Sequence, residues 1–168
     1  MTFFNNEKHE MTRNEILLLA DEELARLCRI DTFRGTGPGG QKRNKTESAV
    51  RVTHRESGLS AFDDQSRSQH LNRVRALQKL RLELAVNMRQ VPQAWDKDCP
   101  GLNSRLYPCW LGTVFDALQA AEFRLSDAAA LLGSSTGKLS RNISRDPFVC
   151  QRVNQERQKR GLPSLHWE

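Results

Sequence analysis

The segment GPGGQKRNK, residues 37–45, combines three glycines with one glutamine and three cationic residues. No serine, cysteine or histidine nucleophile is placed beside it by a recognisable motif, and no pair of carboxylates flanks it. Catalysis at this tip must therefore come from backbone N–H groups and from the neutral amide of Gln41. Such donors can stabilise a developing oxyanion and orient a water molecule. Glycine suits this task because, without a Cβ, the main chain can approach a substrate closely.

An uncharged tip can enter a closed, dry site without the cost of burying a charge, so a partner would supply the pocket. The distribution of charge indicates what kind of partner this is. Residues 34–90 carry 12 basic and 5 acidic side chains, and residues 138–168 carry 7 and 3, in a chain whose net charge is +6. These excesses favour a polyanion such as nucleic acid. A merely solvated basic surface is the alternative, because charge alone fixes no partner.

Two better-known glycine loops fit this segment less well. Gly35, Gly37 and Gly40 match the dinucleotide-binding spacing G-x-G-x-x-G, but that motif requires a helix to begin at the loop. Here the residues that follow predict a strand. The phosphate-binding loop of nucleotide hydrolases ends in Gly-Lys followed by Ser or Thr, and this segment has no such ending.

Short strands are predicted on both sides of the tip. Residues 29–33 precede it, and residues 48–54 follow with an apolar alternation that is typical of a half-buried strand. The residues on one face of that strand are Val50, Val52 and His54. A turn in which Gly58 can adopt a positive φ leads into a second hairpin arm at 59–62. The tip is therefore predicted to project from a small antiparallel or mixed sheet.

Helices are predicted before and after the sheet. Thr12 with Glu15 and Ser66 with Gln69 form possible capping boxes, and Asp21 can cap a second short helix. Behind Ser66, apolar residues recur every three or four positions, which predicts a long amphipathic helix. They are Leu71, Val74, Leu77, Leu80, Leu84 and Met88. Arginines lie along the same stretch, and the pattern leaves open whether they are solvated or contact phosphates.

The chain after residue 90 predicts a linker followed by helices. Residues 91–112 are rich in proline and glycine, so the predicted organisation is a domain at 1–90, this linker, and a helical region at 113–168. Four cysteines without a C-x-x-C pair, and a start without a secretory segment, predict reduced thiols, no metal site and a cytoplasmic protein. No apolar run reaches the length of a membrane span.

Within the helical region, the spacing of small residues suggests a helix-turn-helix. Ser126 is a candidate cap, Ala129 lies four residues before Gly133, and a second helix can open near Ser134 or Ser135. A plain helical hairpin that closes the core is the alternative. A further helix is predicted from about Pro147 to Gly161. The predicted fold class is thus α+β, with the sheet and its loop packed against the long helix and helices at the C-terminal end.

Several motifs occur in one order along residues 28–85: Gly39-Gly40-Gln41, Asn44, the strand SAVRVTH, Gly58 and the helix start SRSQHLN. This ordered set resembles the catalytic domain of class I peptide chain release factors. The resemblance is closer to the short, stand-alone release-factor-like proteins and peptidyl-tRNA hydrolases of ribosome rescue.

In that family the loop enters the ribosomal peptidyl transferase centre, so the resemblance implies catalytic roles for Gly39, Gly40 and Gln41. Gln41 would orient water, with its backbone amide near the developing oxyanion, and it is the candidate for N5-methylation. Contacts with ribosomal RNA are implied for Arg34, Lys42, Arg43, Asn44, Lys45, Arg67 and Arg73. The implied partners are the large-subunit RNA and peptidyl-tRNA, with no cofactor, and a monomer is expected.

The chain also departs from the family pattern. Lys42-Arg43 stands where the family usually has His-Val. The 33 residues before Arg34 cannot house a codon-recognition domain, and no stop-codon tripeptide is evident. The predicted function is therefore codon-independent hydrolysis of peptidyl-tRNA in ribosome rescue or termination, with additional RNA contact by the C-terminal helices as a further expectation. A ribosome- or RNA-binding module that keeps the fold without the reaction is the alternative.

Overall fold

The computed structural model describes residues 10–35 and 47–167, and the helices and strands of these residues form a mixed α+β fold. In chain order they are α1 (Arg13–Leu17), α2 (Asp21–Arg26), β1 (Cys28–Phe33), β2 (Ala49–His54), β3 (Ser60–Asp63), α3 (Gln69–Asn87), α4 (Tyr107–Ala120), α5 (Leu125–Leu131), α6 (Thr136–Ser144) and α7 (Pro147–Lys159). The predicted fold class is confirmed.

The three strands form one antiparallel sheet in the order β1-β2-β3. Val52 on the central strand pairs with Ile30 on β1 and with Ala61 on β3. The α3 helix packs on one face of this sheet, through Leu77, Leu80 and other buried apolar residues. Alternation along β2 decides which side chains meet α3, because successive residues point to opposite faces.

The inward face of β2 ends in a buried histidine. Val50, Val52 and His54 are all at most 1% exposed, as their alternation predicts, whereas Arg51 points to solvent. The His54 Nδ1 lies 2.9 Å from Ser57 Oγ, in the turn that Gly58 closes with a φ of +71°. Burial lowers the pKa of His54, and the carboxylate of Glu56 opposes this shift only in part. The free energy of unfolding should therefore fall as the pH drops below about 6.5.

Two of the predicted helix starts in the first half of the chain are wrong by one or two residues. The Thr12–Glu15 capping box is present as predicted. Asp21, however, is inside α2, where Glu23 accepts the Ala20 N–H at 3.0 Å, and the Asp21 carboxylate instead pairs with Arg81 of α3 at 2.7 Å. Arg81, 60 positions away in the sequence, therefore determines which contact the Asp21 carboxylate makes.

The start of α3 is the second case. Ser68 rather than Ser66 is the N-cap, because its Oγ accepts the Leu71 N–H at 3.2 Å. Ser66 holds the preceding turn, since its own Oγ accepts the Ser68 N–H at 3.0 Å. The apolar stripe is buried as predicted at Leu77, Leu80 and Leu84, whereas its predicted first member, Leu71, is 39% exposed.

The segment predicted as a linker contains the start of a buried helix. The α4 helix begins at Tyr107, and its residues from Tyr107 to Leu118 are all buried. Its side chains join those of α3 and of the later helices in one apolar cluster, in which Phe115 and Phe123 lie edge to face at 6.1 Å. The division of the chain into a domain, a linker and a helical region at residues 90 and 112 stays a prediction.

A buried ion pair fixes α4 against the first helix. Arg13 donates to Asp116 at 2.8 Å and to the Met88 carbonyl at 2.9 Å, and both charged side chains are almost fully buried. Gly112 makes room for the guanidinium, because a Cβ at that position would lie 2.5 Å from Arg13 Cζ. The pair joins α1, the end of α3 and α4 at one point.

Two of the last three helices, α5 and α7, end at glycines where the sequence predicts them. Gly133 (φ +68°) follows α5 and Gly161 (φ +69°) follows α7, and both helix ends have the two hydrogen bonds of a Schellman motif. Ser135 caps α6, as expected. Ser126 does not cap α5, because Glu122 and Phe123 adopt positive φ values and the helix then begins at Leu125. Within residues 10–35 and 47–167, no helix is long and apolar enough to cross a membrane.

Candidate functional site

The predicted tip lies between β1 and β2, at the end of the hairpin where Phe33 pairs with Ala49. Seven of the proposed site residues fall outside the described residues: Gly39, Gly40, Gln41, Lys42, Arg43, Asn44 and Lys45. The structure does describe the residues on either side of this segment, 33–35 and 47–49, which together are called the loop base. Their contacts show how the fold holds this base.

Two side chains from the first turn of α3 clamp the returning arm of the loop. The Asn72 side-chain amide donates to the Ser48 carbonyl at 2.7 Å and to the Ser66 carbonyl at 2.8 Å, and its oxygen accepts the Ser66 N–H at 2.9 Å. Three residues earlier, the Gln69 side-chain amide donates to the Glu47 carbonyl at 2.9 Å. Asn72 is wholly buried, so its bond to the Ser48 carbonyl is shielded from competing water, whereas the Gln69 bond is exposed.

The outgoing arm of the loop passes close to the connection between β3 and α3. A Cβ built on Gly35 would lie 3.3 Å from the Cβ of Asp64, which is a tight approach. Next to it, the Asp63 carboxylate is buried and accepts from Lys79 Nζ at 2.7 Å and from the Gln65 N–H at 3.1 Å. The returning arm of the loop base is therefore bonded to α3 and the turn before it, and the outgoing arm passes close to the same segment.

An aromatic and cationic cluster lies on the open face of the sheet at the same end. The Phe33 and Phe62 rings meet edge to face at 6.1 Å, and the Arg51 guanidinium lies over the Phe33 ring at 5.1 Å. Phe62 remains 50% exposed. The sequence pattern placed Arg51 on the outer face of β2, but its position beside the loop base follows only from the pairing of the strands.

The arginines of this region separate into two groups. Arg81 is structural, since it pairs with Asp21 and also donates to the Leu17 and Leu19 carbonyls. Arg34, Arg67 and Arg73 are exposed, and none of them forms an ion pair with any residue that the structure describes. Unpaired exposed cations are the ones available to external phosphates.

Asn72 could have been recognised from the sequence. It precedes Ala76, Leu80 and Leu84 at intervals of four, so it occupies the apolar face of α3. A polar residue on such a face must find hydrogen-bond partners inside the fold. The periodicity therefore indicates a buried polar contact, although it cannot say that the contact is with the loop.

Replacing Asn72 by alanine should lower the free energy of unfolding by about 2 kcal/mol, because the backbone groups of Ser48 and Ser66 would lose buried partners. Denaturation by urea measures this change. Asn87→Ala is the matched control, since Asn87 is exposed and bonds only Glu83 within the same helix; its effect should stay within about 0.5 kcal/mol. Equal effects of the two variants would contradict the clamp.

Comparison with known proteins finds similar sequences for the part of the chain that contains this site. Residues 22–98, which include the predicted tip and the strands around it, match the RF-1 domain. Peptide chain release factor 1 of Leptothrix cholodnii is 53% identical over 68 residues, which are 40% of this chain and 19% of that protein. Peptide chain release factor 2 of Paramagnetospirillum magneticum is 54% identical over 57 residues, 34% of this chain and 15% of that protein.

A third relative, peptide chain release factor 1 of Syntrophobacter fumaroxidans, is 48% identical over 66 residues. Residues 22–98 are therefore similar to the RF-1 domain, and over this part the chain is similar to peptide chain release factors. The chain spans about a fifth of the length of these relatives or less.

Proposed function

We propose that this chain is a release-factor-like hydrolase that cleaves the ester bond of peptidyl-tRNA in the ribosomal peptidyl transferase centre, independently of a codon. The observation that carries the proposal is the RF-1 domain match over residues 22–98, which contains Gly39-Gly40-Gln41 in the expected order. The proposal includes action in the cytoplasm, where ribosomes translate.

In the proposed reaction a water molecule attacks the ester carbonyl carbon of peptidyl-tRNA. The ester C–O bond breaks, the water proton passes to the terminal ribose oxygen of the tRNA, and a peptide with a free carboxyl group is released. Gln41 orients the water and its backbone N–H stabilises the oxyanion, while Gly39 and Gly40 let the main chain approach. No charged side chain is required at the tip.

The described loop base supports this role in two ways. Its returning arm is hydrogen-bonded by Asn72 and Gln69, and its outgoing arm passes close to Asp64, so the chain on both sides of the tip lies against the fold. A catalytic group must be held in position to be effective, since displacement by 1 Å can cost about 100-fold in rate. The unpaired cations around the base supply binding to phosphates of ribosomal RNA.

The deciding experiment measures peptide release from ribosomes that hold peptidyl-tRNA. Three complexes are compared, with a stop codon, a sense codon, or no mRNA in the decoding site. Similar release from all three is the expected result. Release restricted to the stop codon would overturn codon independence, and ribosome binding without release on any complex would favour the non-catalytic module, which the Lys42-Arg43 departure motivates.

The unpaired arginines should control ribosome affinity. Arg67→Ala and Arg73→Ala are each expected to weaken ribosome binding and to lower the slope of log K against log salt by about one, as for the loss of one phosphate contact. Arg29→Ala is the matched control, because Arg29 is exposed at the other end of β1 and pairs with Asp31. A change in slope as large in Arg29→Ala would contradict a localised interface.

A further inference from the structure

The last three helices, α5 to α7, pack on one another in sequence, and the proposed hydrolytic reaction does not use them. The α5 and α6 helices meet across the turn at Gly133, and their contact is made by buried small and apolar residues: Ala128, Ala129, Leu132, Leu139 and Ile143. The α7 helix braces α6 with Val149 and Val153. In this arrangement one face of α6 is exposed to solvent, with residues 98–100 of the chain that follows α3 at its edge.

The open face of α6 is cationic. Leu139 and Ile143 point into the core, so at 100° per residue the opposite direction is occupied by Arg141, with Lys138 and Arg145 beside it. All three are exposed, and α6 contains no acidic residue. Gly137, on the same side, leaves the helix surface bare, because nothing lies within 4 Å of a Cβ built there.

The charges on this face are weakly compensated within the fold. Lys138 lies 3.7 Å from Asp98, whose side chain is fully exposed, and such a surface pair contributes little. Arg145 donates to the Pro100 carbonyl at 3.3 Å and to Cys99 Sγ at 3.2 Å, which fixes its guanidinium without cancelling its charge. Among the residues that the structure describes, the Arg141 side chain donates to the Gly137 carbonyl of its own helix and forms no ion pair.

The face is also held in a fixed relation to the rest of the molecule. The backbone N–H of Trp95 donates to the Leu132 carbonyl at 3.3 Å. The chain that leaves α3 then runs along α6 as far as Pro100, which accepts from Arg145. The α4 helix packs against both α3 and α5. A ligand on α6 would therefore be bound at a set distance from the RF-1 domain.

We propose that the open face of α6 is a second RNA-binding site, which holds backbone phosphates of structured RNA through Lys138, Arg141 and Arg145. Charge complementarity requires a polyanion, and cations three and four residues apart rise about 4.5 and 6 Å along the helix, so they can contact successive phosphates. The choice of RNA over DNA rests on the proposed function, because the RF-1 domain of the same chain is proposed to bind the ribosome.

The test uses the full chain and a fluorescein-labelled RNA hairpin, with a DNA duplex of the same sequence for comparison. Fluorescence anisotropy gives the affinity over a series of salt concentrations. The double variant Lys138→Ala/Arg141→Ala should weaken RNA binding about tenfold or more and lower the salt slope by about two. Arg124→Ala is the matched control, since Arg124 is an exposed cation at the start of α5, away from this face.

Three results would overturn the proposal: an unchanged salt slope in the double variant, an equal change in Arg124→Ala, or tighter binding of the DNA duplex than of the RNA. Lys138 and Arg141 are exposed, so the thermal midpoint should remain that of the wild type. The assay contains no ribosome. If the protein does not hydrolyse peptidyl-tRNA, the RNA affinity measured in this assay is unaffected. If α6 does not bind RNA, the peptide-release assay still decides whether the protein is a hydrolase.

Discussion

Replacing Asp116 by alanine is expected to lower the free energy of unfolding by about 3–5 kcal/mol, because it leaves the Arg13 guanidinium buried without a counter-charge. The two side chains are 1% and 3% exposed and lie 2.8 Å apart. Asp116 also accepts the Gln90 N–H at 2.9 Å, so the variant removes a second buried partner. The guanidinium cannot move to solvent easily, since Gly112 and the Met88 carbonyl surround it.

Urea denaturation of the full chain measures this loss. Asp31→Ala is the matched control, because Asp31 forms an exposed pair with Arg29 at 3.0 Å and should change the free energy of unfolding by less than about 1 kcal/mol. The double variant Arg13→Met/Asp116→Leu should recover part of the loss, because no unpaired charge remains. A loss below 1 kcal/mol in Asp116→Ala would show that the pair does not hold α1 against α4.

Replacing Gly40 by alanine is expected to reduce the rate of peptide release by about 100- to 1,000-fold, the effect of losing one oxyanion donor. A methyl group at this position would hold the main chain away from the ester in a site closed around the substrate. Gln41→Val keeps the backbone N–H of residue 41 and removes the amide that orients water. It should therefore reduce release less than Gly40→Ala does.

Single-turnover release from ribosomes, measured at saturating protein, separates this chemical effect from binding. Both variants should bind ribosomes as the wild type does, whereas Arg67→Ala should weaken binding and leave the saturated rate unchanged. Unchanged release in both Gly40→Ala and Gln41→Val would rule out the proposed mechanism.

Local periodicity accounts for the parts of the fold that could be predicted from the sequence. The alternation around Val50 and Val52, the leucine stripe of α3 and the glycine turns at Gly133 and Gly161 all depend on neighbours within a few residues. The errors occur where a distant partner competes or where the backbone takes an unusual conformation. Asp21 pairs with Arg81 rather than capping α2, and α5 starts before Ser126 because two non-glycine residues adopt positive φ.

In the candidate site, too, some features follow from the local sequence and others only from the tertiary structure. By itself, the sequence determined the chemical character of the tip, an uncharged Gly-Gly-Gln beside cations, because residue types and order suffice for that. Only the tertiary structure decided that Asn72 clamps the loop base, that Arg81 is structural while Arg67 is unpaired among the described residues, and that Arg13 meets Asp116. These are contacts between residues 24 to 103 positions apart, and no local pattern specifies which distant group a polar side chain will reach.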